Sequence, residues 1–374
     1  MRIRASFGSG LAIRPGDPPG TVWGVGDRGP NLKVSLAVER YGLDHLERFE
    51  GAAGAKVMPR LDIGPSIAEL RVHEDRVELV RTIRLRTSGG VLLSGLPNPS
   101  GDHSECEPAL ALDGEVLAPD PDGADTEGIA ARADGSFFIG DEYGPSLLLV
   151  GRDGQLISRW LPGAGLPVLA GKRQLNRGFE AIALSADEAW LYLAFQSPLA
   201  HPDKEAHERA RHVRVWQLDA GTGAVAAQYL YPLDPPKSFR RDRAKGKFGR
   251  DDIKVSEMLV AGDGSLLMLE RGSETTKIFR TRLDPSLRTG EEHLDVATRP
   301  TLEETSGAGG ELPELAKELL FSSDDHPKVA ADLEGMAILS PTELLLVSDN
   351  DFGVEGAETS FWRVEFPEPL PGHG

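Results

Sequence analysis

The stretch from Asp125 to Trp160, DTEGIAARADGSFFIGDEYGPSLLLVGRDGQLISRW, contains four short apolar runs separated by turn sequences. Asp134-Gly135 and Asp153-Gly154 are dipeptides that favour tight turns between antiparallel strands. The pattern predicts strands over 127–132, 136–140, 146–150 and 155–160. Four short antiparallel strands joined by tight turns are typical of one β-propeller blade.

The same pattern returns along the chain. Comparable units lie at 178–231, 255–283 and 334–366, and weaker copies lie at 10–29 and 67–93. Because such a unit cannot bury its apolar faces alone, repetition predicts a repeat fold. We therefore expect an all-β chain folded as a six-bladed β-propeller, closed by strands from the two chain ends.

The repeats cover most of the sequence, so we expect a single domain over residues 1–374. Three stretches break the pattern, near 41–55, 235–252 and 303–328, and we interpret them as surface insertions. We predict a helical turn in the first insertion at 43–49, and a short helix in the third at 314–320.

An acidic residue begins the first strand of four units: Glu127, Glu180, Glu257 and Glu334. The predicted hairpin loops set the pairing partners of these four glutamates. Glu127 is expected opposite Glu142, Glu180 opposite Phe195, Glu257 opposite Glu270, and Glu334 opposite Asp349. If the first strands line the propeller axis, the glutamates converge on one mouth of the central channel. A wider ring is then expected from Asp141, Glu142, Glu270 and Asp349.

Carboxylates crowded in a channel repel one another, so they must either keep protons or share a cation. Calcium takes six to eight oxygen ligands in flexible geometry and needs neither Cys nor His. We therefore predict Ca²⁺ bound by Glu127, Glu180, Glu257 and Glu334. The alternative is structural, with each glutamate accepting hydrogen bonds from backbone amides of the neighbouring blade.

Two arginines follow acidic residues at matching places in two units, Arg28 after Asp27 and Arg271 after Glu270. Both can bind a phosphate or carboxylate at the channel mouth, or can form ordinary surface ion pairs. We group Asn350 with them as a substrate-binding residue. It lies in Asp349-Asn350-Asp351-Phe352-Gly353, which resembles a fragment of a calcium loop but is equally explained by turns.

The formal net charge of −18 argues against nucleic acid or an anionic membrane surface as the partner. The one cysteine, Cys106, allows no intramolecular disulfide. No apolar stretch is long enough to span a bilayer, and no apolar segment follows the basic residues at the start. We expect a cytoplasmic monomer.

The familiar nucleophile motifs are missing from the sequence: it contains no G-x-S-x-G, no P-loop and no H-E-x-x-H. A serine-hydrolase mechanism therefore has no support. If the chain is a hydrolase, water activated by a metal is the better mechanism.

Several motifs together resemble the phytase-like family (esterase-like activity of phytase). They are Asp125-Thr126-Glu127-Gly128-Ile129, Asp141-Glu142-Tyr143-Gly144-Pro145-Ser146, Gly95-Leu96-Pro97-Asn98, Gln196-Ser197-Pro198-Leu199, Leu269-Glu270-Arg271 and Asp349–Gly353. The resemblance spans roughly 8–366. It implies a propeller fold and hydrolysis of a phosphoester or ester.

From these patterns we predict a metal-dependent hydrolase acting on a small anionic molecule at the channel mouth. Its further ligands or general base are expected among Asp141, Glu142, Glu270 and Asp349, and its substrate-binding residues are Arg28, Arg271 and Asn350. The alternative is a propeller without catalytic activity that binds a small ligand or a protein partner.

Overall fold

Five sheets of three to five strands follow one another along the chain in the computed structural model, which describes residues 3–101 and 107–372. Cys106 lies outside these described residues.

The strands are short throughout. In chain order they are β1 (Gly10–Ala12), β2 (Thr21–Gly26), β3 (Leu32–Lys33), β4 (Lys56–Val57), β5 (Ser66–Val72), β6 (Val77–Arg84), β7 (Ala109–Leu110), β8 (Thr126–Ala131), β9 (Phe137–Asp141), β10 (Ser146–Val150), β11 (Leu156–Pro162), β12 (Gly165–Leu166), β13 (Phe179–Leu184), β14 (Trp190–Phe195), β15 (His212–Asp219), β16 (Val225–Pro232), β17 (Lys254–Val260), β18 (Leu266–Arg271), β19 (Thr276–Thr281), β20 (Lys317–Ser322), β21 (Leu333–Ser340), β22 (Glu343–Ser348) and β23 (Phe361–Glu365).

Helices are few and lie in the connections. The α-helices are α1 (Val34–Tyr41), α2 (Lys204–Arg209), α3 (Arg240–Lys245) and α4 (Leu302–Gly307). Short 3₁₀ helices cover Asp44–Phe49, Val168–Lys172, Pro236–Ser238, Pro285–Leu287, Glu291–Leu294, Ser323–Asp325 and Asp351–Gly353. Within 3–101 and 107–372, none of the helices has the length and apolar character required to traverse a bilayer.

In each large sheet, the strand that comes first in the chain contacts the corresponding strands of the two neighbouring sheets; these first strands are β1, β8, β13, β17 and β21. The five sheets have the orders β1-β2-β5-β6, β12-β11-β10-β9-β8, β13-β14-β15-β16, β17-β18-β19-β20 and β21-β22-β23. Their first strands contact one another in a cycle, β1 to β8, β8 to β13, β13 to β17, β17 to β21 and β21 back to β1. The first strands therefore surround a central channel, as predicted for an all-β propeller.

The prediction of six blades is not confirmed. The units expected at 10–29 and 67–93 belong to one sheet, because β2 pairs with β5 through residues such as Gly24 and Ala68. The described residues form five large sheets and one small sheet, β3-β4-β7, whose strands lie in the β2–β5 and β6–β8 connections. The sequence showed two weaker copies of the repeat, and only the long-range pairing places both in a single blade.

Closure also differs from the prediction. In the part of the chain that the structure describes, no strand from the N-terminal segment enters the fifth sheet. Instead, single hydrogen bonds join the chain ends. The Arg4 N–H donates to the Phe352 carbonyl at 2.9 Å, and Asn350 Nδ2 donates to the Ala5 carbonyl at 2.9 Å.

The apolar core lies between the faces of neighbouring sheets. Trp23 of the first sheet meets Phe137 of the second edge-on, with ring centroids 5.0 Å apart. Phe195 and Trp216 make a similar contact at 5.0 Å within the third sheet. Aromatic pairs of this geometry add about 0.5–1.5 kcal/mol beyond the burial of their surface.

All three predicted insertions carry short helices, and the third, 303–328, contains most of α4 and the 3₁₀ helix Ser323–Asp325. The first has a 3₁₀ helix over Asp44–Phe49, which confirms the predicted turn. The basic segment 235–252 carries α3, where the Asp242 carboxylate accepts hydrogen bonds from the amides of Ser273, Glu274 and Thr275 at 2.8–2.9 Å. These bonds fix the segment against the turn that follows β18.

The helix predicted at 314–320 is wrong. Residues Lys317–Ser322 form β20, which pairs with β19 and completes the fourth sheet. Its Lys, Glu and Leu residues favour a helix in isolation, but pairing with an unsatisfied strand edge outweighs that weak preference.

Candidate functional site

The central channel opens into a different cavity at each end of the first strands. The cavity where these strands begin has a volume of about 330 Å³ and is lined by ten acidic and five basic residues. The cavity where they end has a volume of about 360 Å³ and is lined mainly by Leu, Ile, Ala, Val and Met. We call them the polar cavity and the apolar cavity. The polar cavity is the candidate site.

The hairpin turns set a different register from the predicted one. Between β8 and β9, the Arg132 amide donates to the Ser136 carbonyl at 2.9 Å, so the loop has three residues rather than two. Gly135 adopts φ +95°, a conformation that glycine accepts without strain. The pairing is therefore shifted by one residue, and Ile129 lies opposite Ile139.

A β-bulge shifts the register again at the start of the first strands. The ladders are interrupted between Thr126 and Ile129, Phe179 and Ala181, Val255 and Glu257, and Leu333 and Gly335. A bulge re-aims the side chain that it carries. Glu127, Glu180 and Glu334 lie in these bulges and line the polar cavity.

The register defines two equivalent positions in every blade. Leu11, Ile129, Ile182, Met258 and Met336 pair with Gly24, Ile139, Leu193, Met268 and Leu346. In each blade, a further residue lies two positions before the paired residue of the first strand. We call these five residues the inner ring: Ser9, Glu127, Glu180, Ser256 and Glu334. A further residue also follows three positions after the paired residue of the partner strand. We call these five residues the outer ring: Asp27, Glu142, Gln196, Arg271 and Asp349. Nine of these ten residues line the polar cavity, Ser256 being the exception.

Glu257 is one residue out of the predicted ring, because Ser256 takes the inner-ring position in the fourth sheet. Its carboxylate is fully buried and accepts hydrogen bonds from the amides of Leu11 and Met258 at 3.0 Å each. The backbones of the first and second sheets approach closely here because Gly10 has no side chain; a Cβ there would lie 2.5 Å from the Glu127 carbonyl oxygen. Glu257 thus follows the structural alternative, and it does not line the cavity.

Asp141 and Glu270 also lie outside the polar cavity. Each precedes an outer-ring residue, and successive side chains of a strand point to opposite sides. Asp141 accepts from the Asp125 and Tyr143 amides at 3.0 Å and pairs with Arg159 at 2.7 Å. The structure therefore gives this predicted catalytic residue a bonding role within the blade.

Glu270 accepts from the Tyr231 hydroxyl at 2.7 Å and the Asp234 amide at 3.0 Å, and it pairs with Lys317. Asn350 is buried beside the cavity, and its amide holds the N-terminal segment. Of the four predicted catalytic residues, Glu142 and Asp349 line the cavity, and Asp349 accepts from Ser6 and from the Gly8 amide.

Arg271 gives the fourth sheet a cation where the others carry acids or Gln196. Its Nη2 pairs with Glu334 and lies 3.5 Å from Glu180, and its Nη1 lies 2.5 Å from Asp332. Ser256 Oγ accepts from the Arg271 Nε at 2.6 Å. One guanidinium therefore bridges the acids of the third and fifth sheets.

The other side of the cavity holds Asp27, Asp125, Glu127 and Glu142 around a single guanidinium. Arg28 Nε lies 3.3 Å from Asp125 and Arg28 Nη1 lies 3.4 Å from Glu107. The Arg28 guanidinium also stacks over the ring of Tyr143 at 4.6 Å. Arg28 and Arg271 thus both reach the cavity as predicted, and both are bound by carboxylates there.

Burial and mutual repulsion raise the pKa of several cavity acids. Desolvation is the first cause for Glu127 and Glu142, and repulsion is the second, from Glu142 on the pKa of Glu127 and from Asp125 on the pKa of Glu142. The pKa of Asp27 is raised by burial, by the charge of Asp125 and by a hydrogen bond between the two carboxyl groups. The positive charge of Arg271, followed by burial, lowers the pKa of Lys254.

Sequence reasoning missed Asp27, Gln196 and Lys254 as cavity residues. Asp27 follows β2 as Glu142 follows β9, and this matching position was the available signal. The correspondence is hard to see in the sequence because the weak N-terminal unit has no glutamate at the start of its first strand. Lys254 carries no motif, and only the fold places it near Arg271.

A scan of family models matches residues 6–352 of this chain to "Phytase-like: Esterase-like activity of phytase". An "Uncharacterized secreted protein" from Arthroderma benhamiae is 25% identical over 322 residues, which cover 71% of this chain and 59% of that protein. The chain thus spans less than two thirds of this relative.

Solved structures give weaker similarities. The PQQ-bound aldose sugar dehydrogenase from Streptomyces coelicolor is 11% identical, covering 98% of this chain and 96% of that one, with a TM-score of 0.37. The Cps50 (Swd1) β-propeller domain from Myceliophteria thermophila is 12% identical, covering 83% and 82%, with a TM-score of 0.33. Similarity at this level carries no argument about function. The family match extends from before the first strand to beyond β22, and on this evidence the chain belongs to the phytase-like family.

Proposed function

We propose that the polar cavity is the active site of a hydrolase that cleaves an ester or phosphoester bond in a small anionic molecule, with the aid of Ca²⁺. The observation that carries the proposal is Glu142, a buried carboxylate with a raised pKa in the cavity wall. The family description supports the reaction class.

Glu142 has the properties required of a general base. It lines the cavity beside Glu127 and Asp125, whose charges favour uptake of a proton. A base works best when its pKa lies near the working pH, and burial raises a carboxyl group toward that range. We assign to Glu142 the removal of a proton from the attacking water.

Cationic side chains provide the binding of the anionic substrate. Lys33, Lys56 and Lys254 line the cavity together with Arg28 and Arg271. The two arginines are engaged by acids, so the lysines are the better candidates for direct contact. A volume of about 330 Å³ suits a small molecule.

The donor set fits calcium. The polar cavity presents carboxylate and amide oxygens, among them those of Asp27, Asp125 and Glu127, and hard cations with flexible coordination prefer such ligands. When bound, the ion would polarise the scissile bond and neutralise developing charge.

The location proposed here differs from the cytoplasmic one predicted from sequence. The relative from Arthroderma benhamiae is named a secreted protein, and we propose that this chain also acts outside the cell. Fractionation of the native host, followed by immunodetection, tests the location.

The decisive experiment measures hydrolysis by the purified protein of a panel of aryl esters and aryl phosphates, with calcium and with a chelator. We expect activity only with calcium, and a loss of roughly 100-fold or more in kcat for Glu142→Gln, as for removal of a general base. Glu318→Gln, the same chemical change on the exposed strand β20, serves as the control and should keep full activity. Absence of hydrolysis across the panel would favour a binding module without catalytic activity.

A further inference from the structure

The acidic residues of the polar cavity fall into two groups with different counter-charges. Glu180, Glu334 and Asp332 surround Arg271, which forms an ion pair with each of them. On that side each of these acids has an ion pair with Arg271. On the side between the first and second sheets, Asp27 has only a long contact with Arg28, at 3.9 Å, and Glu127 has no ion pair among the described residues.

Three carboxylates meet on that second side. Asp27 follows β2, Asp125 precedes β8, and Glu127 lies in the bulge of β8. One oxygen from each residue lies within 4.8 Å of the other two, and all three residues are buried. A cation placed among them could therefore contact all three.

Unpartnered oxygens at the cavity wall point independently to a ligand. Asp27 Oδ1, Glu180 Oε2 and Gln196 Oε1 have no hydrogen-bond partner among the described residues. Their residues are 9%, 2% and 3% exposed, and all three line the polar cavity. Of these oxygens, Asp27 Oδ1 belongs to the cluster of three carboxylates. Because buried polar atoms are normally paired, an oxygen left free there indicates a bound group.

The nearby arginine cannot replace that group. Arg28 divides its guanidinium between Asp125 at 3.3 Å and Glu107 at 3.4 Å, and its contact with Asp27 is longer, at 3.9 Å. One positive charge thus faces four acids when Glu127 is included. With every acid ionised the group carries three uncompensated negative charges, and a divalent cation would offset two of them.

We infer that a divalent cation of the calcium class binds between the first and second sheets, held by Asp27, Asp125 and Glu127. Glu180 and Glu334 of the predicted set belong to the Arg271 group and Glu257 to the blade interior, so only Glu127 is shared between the predicted set and this site. The inference deepens the proposed function, since it locates the ion that the proposed hydrolysis requires.

The test is calcium binding to the chelator-treated full chain, measured by isothermal titration calorimetry and by thermal unfolding. Wild type should bind and gain melting temperature, because a ligand of the native state stabilises it. Asp27→Asn and Glu127→Gln should each weaken binding by roughly 100-fold or more, beyond the 10–100-fold typical of residues that only support ligands.

Asp332→Asn is the matched control, an acid of the same cavity that pairs with Arg271. It should bind calcium with nearly the wild-type affinity. The site is overturned if wild type binds no divalent cation, if Asp27→Asn and Glu127→Gln both bind as wild type does, or if Asp332→Asn weakens binding as much as they do. Circular dichroism spectra of all variants establish that each is folded.

Binding and hydrolysis are scored separately, so the two proposals can fail independently. Calcium binding with the expected variant pattern but no hydrolysis would leave the site standing and remove the proposed function. Hydrolysis that persists in chelator without calcium binding would remove the site and leave a hydrolase.

Discussion

The two sides of the polar cavity are built from the same repeated positions and differ in whether their acids have an ion pair within the protein. In the fourth sheet, Ser256 and Arg271 occupy the inner and outer rings, and the arginine binds acids from its neighbours. In the second sheet, Glu127 and Glu142 occupy those positions, and Asp27 adds a third acid from the first sheet. A repeat thus provides equivalent places, and the residue type at each place decides whether an arginine pairs with the acids or leaves room for the proposed cation.

Removal of the Arg271 guanidinium should have the largest effect on the free energy of unfolding. Arg271→Gln leaves Glu180 and Glu334 buried without a partner, and breaking a buried pair in this way costs about 3–5 kcal/mol. Urea unfolding followed by circular dichroism measures the loss. A second change, Glu334→Gln, should recover part of it by removing one unpaired charge. A loss below about 1 kcal/mol, the size of an exposed ion pair, would show that the two sides do not differ.

Removal of the hydrogen bond between Arg271 and Ser256 should lower the free energy of unfolding by a smaller amount. Ser256→Ala removes the acceptor of the Arg271 Nε hydrogen bond, and bonds to charged groups contribute about 1.5–3 kcal/mol. The same unfolding experiment measures it. Ser286→Ala, at an exposed turn where the hydroxyl bonds Asp284, should change stability by no more than about 0.5 kcal/mol. Equal losses in both variants would contradict the role given to Ser256.

The smallest expected effect is a pH dependence of the unfolding free energy caused by Glu142, on the side of the cavity between the first and second sheets. The pKa of Glu142 is raised above its ordinary 4.5 by burial and by neighbouring acids, so its contribution to stability is fully present below about pH 4.5. That contribution is lost as pH rises through the folded-state pKa. Glutamine has no such proton to lose. In metal-free protein, Glu142→Gln should therefore gain stability relative to wild type as pH increases.

Unfolding free energies measured between about pH 4 and pH 8 give this difference directly. Glu318→Gln provides the baseline for an exposed acid. A difference between Glu142→Gln and wild type that stays constant, or falls with pH, would show that Glu142 is not held in a repelling environment.

Much of the second sheet could be predicted from the sequence. Asp-Gly turns and short apolar runs predict the strands at 136–140 and 146–150, and the structure has them within one residue. Glycine beside a short polar residue fixes a turn locally, and no distant contact is needed. The assignment of Glu127, Glu180 and Glu334 to one channel mouth rested on the same local repetition.

The positions of Glu257 and Asp27 depended on the tertiary structure. A single-residue bulge moved Glu257 out of the ring, and the sequence Val255-Ser256-Glu257 does not show which residue is the extra one. Asp27 joined the cavity because β1 pairs with β2, with Leu11 opposite Gly24, and this register places Asp27 in the outer ring. Register shifts of one residue change which way every side chain points.

By itself, the sequence determined that this protein is an all-β propeller with acidic residues at the start of its first strands, because period-two alternation and turn chemistry are local properties. Only the tertiary structure decided how many blades form, and which acids meet which cations. Those outcomes depend on pairing between distant strands and on side chains from different sheets sharing one cavity.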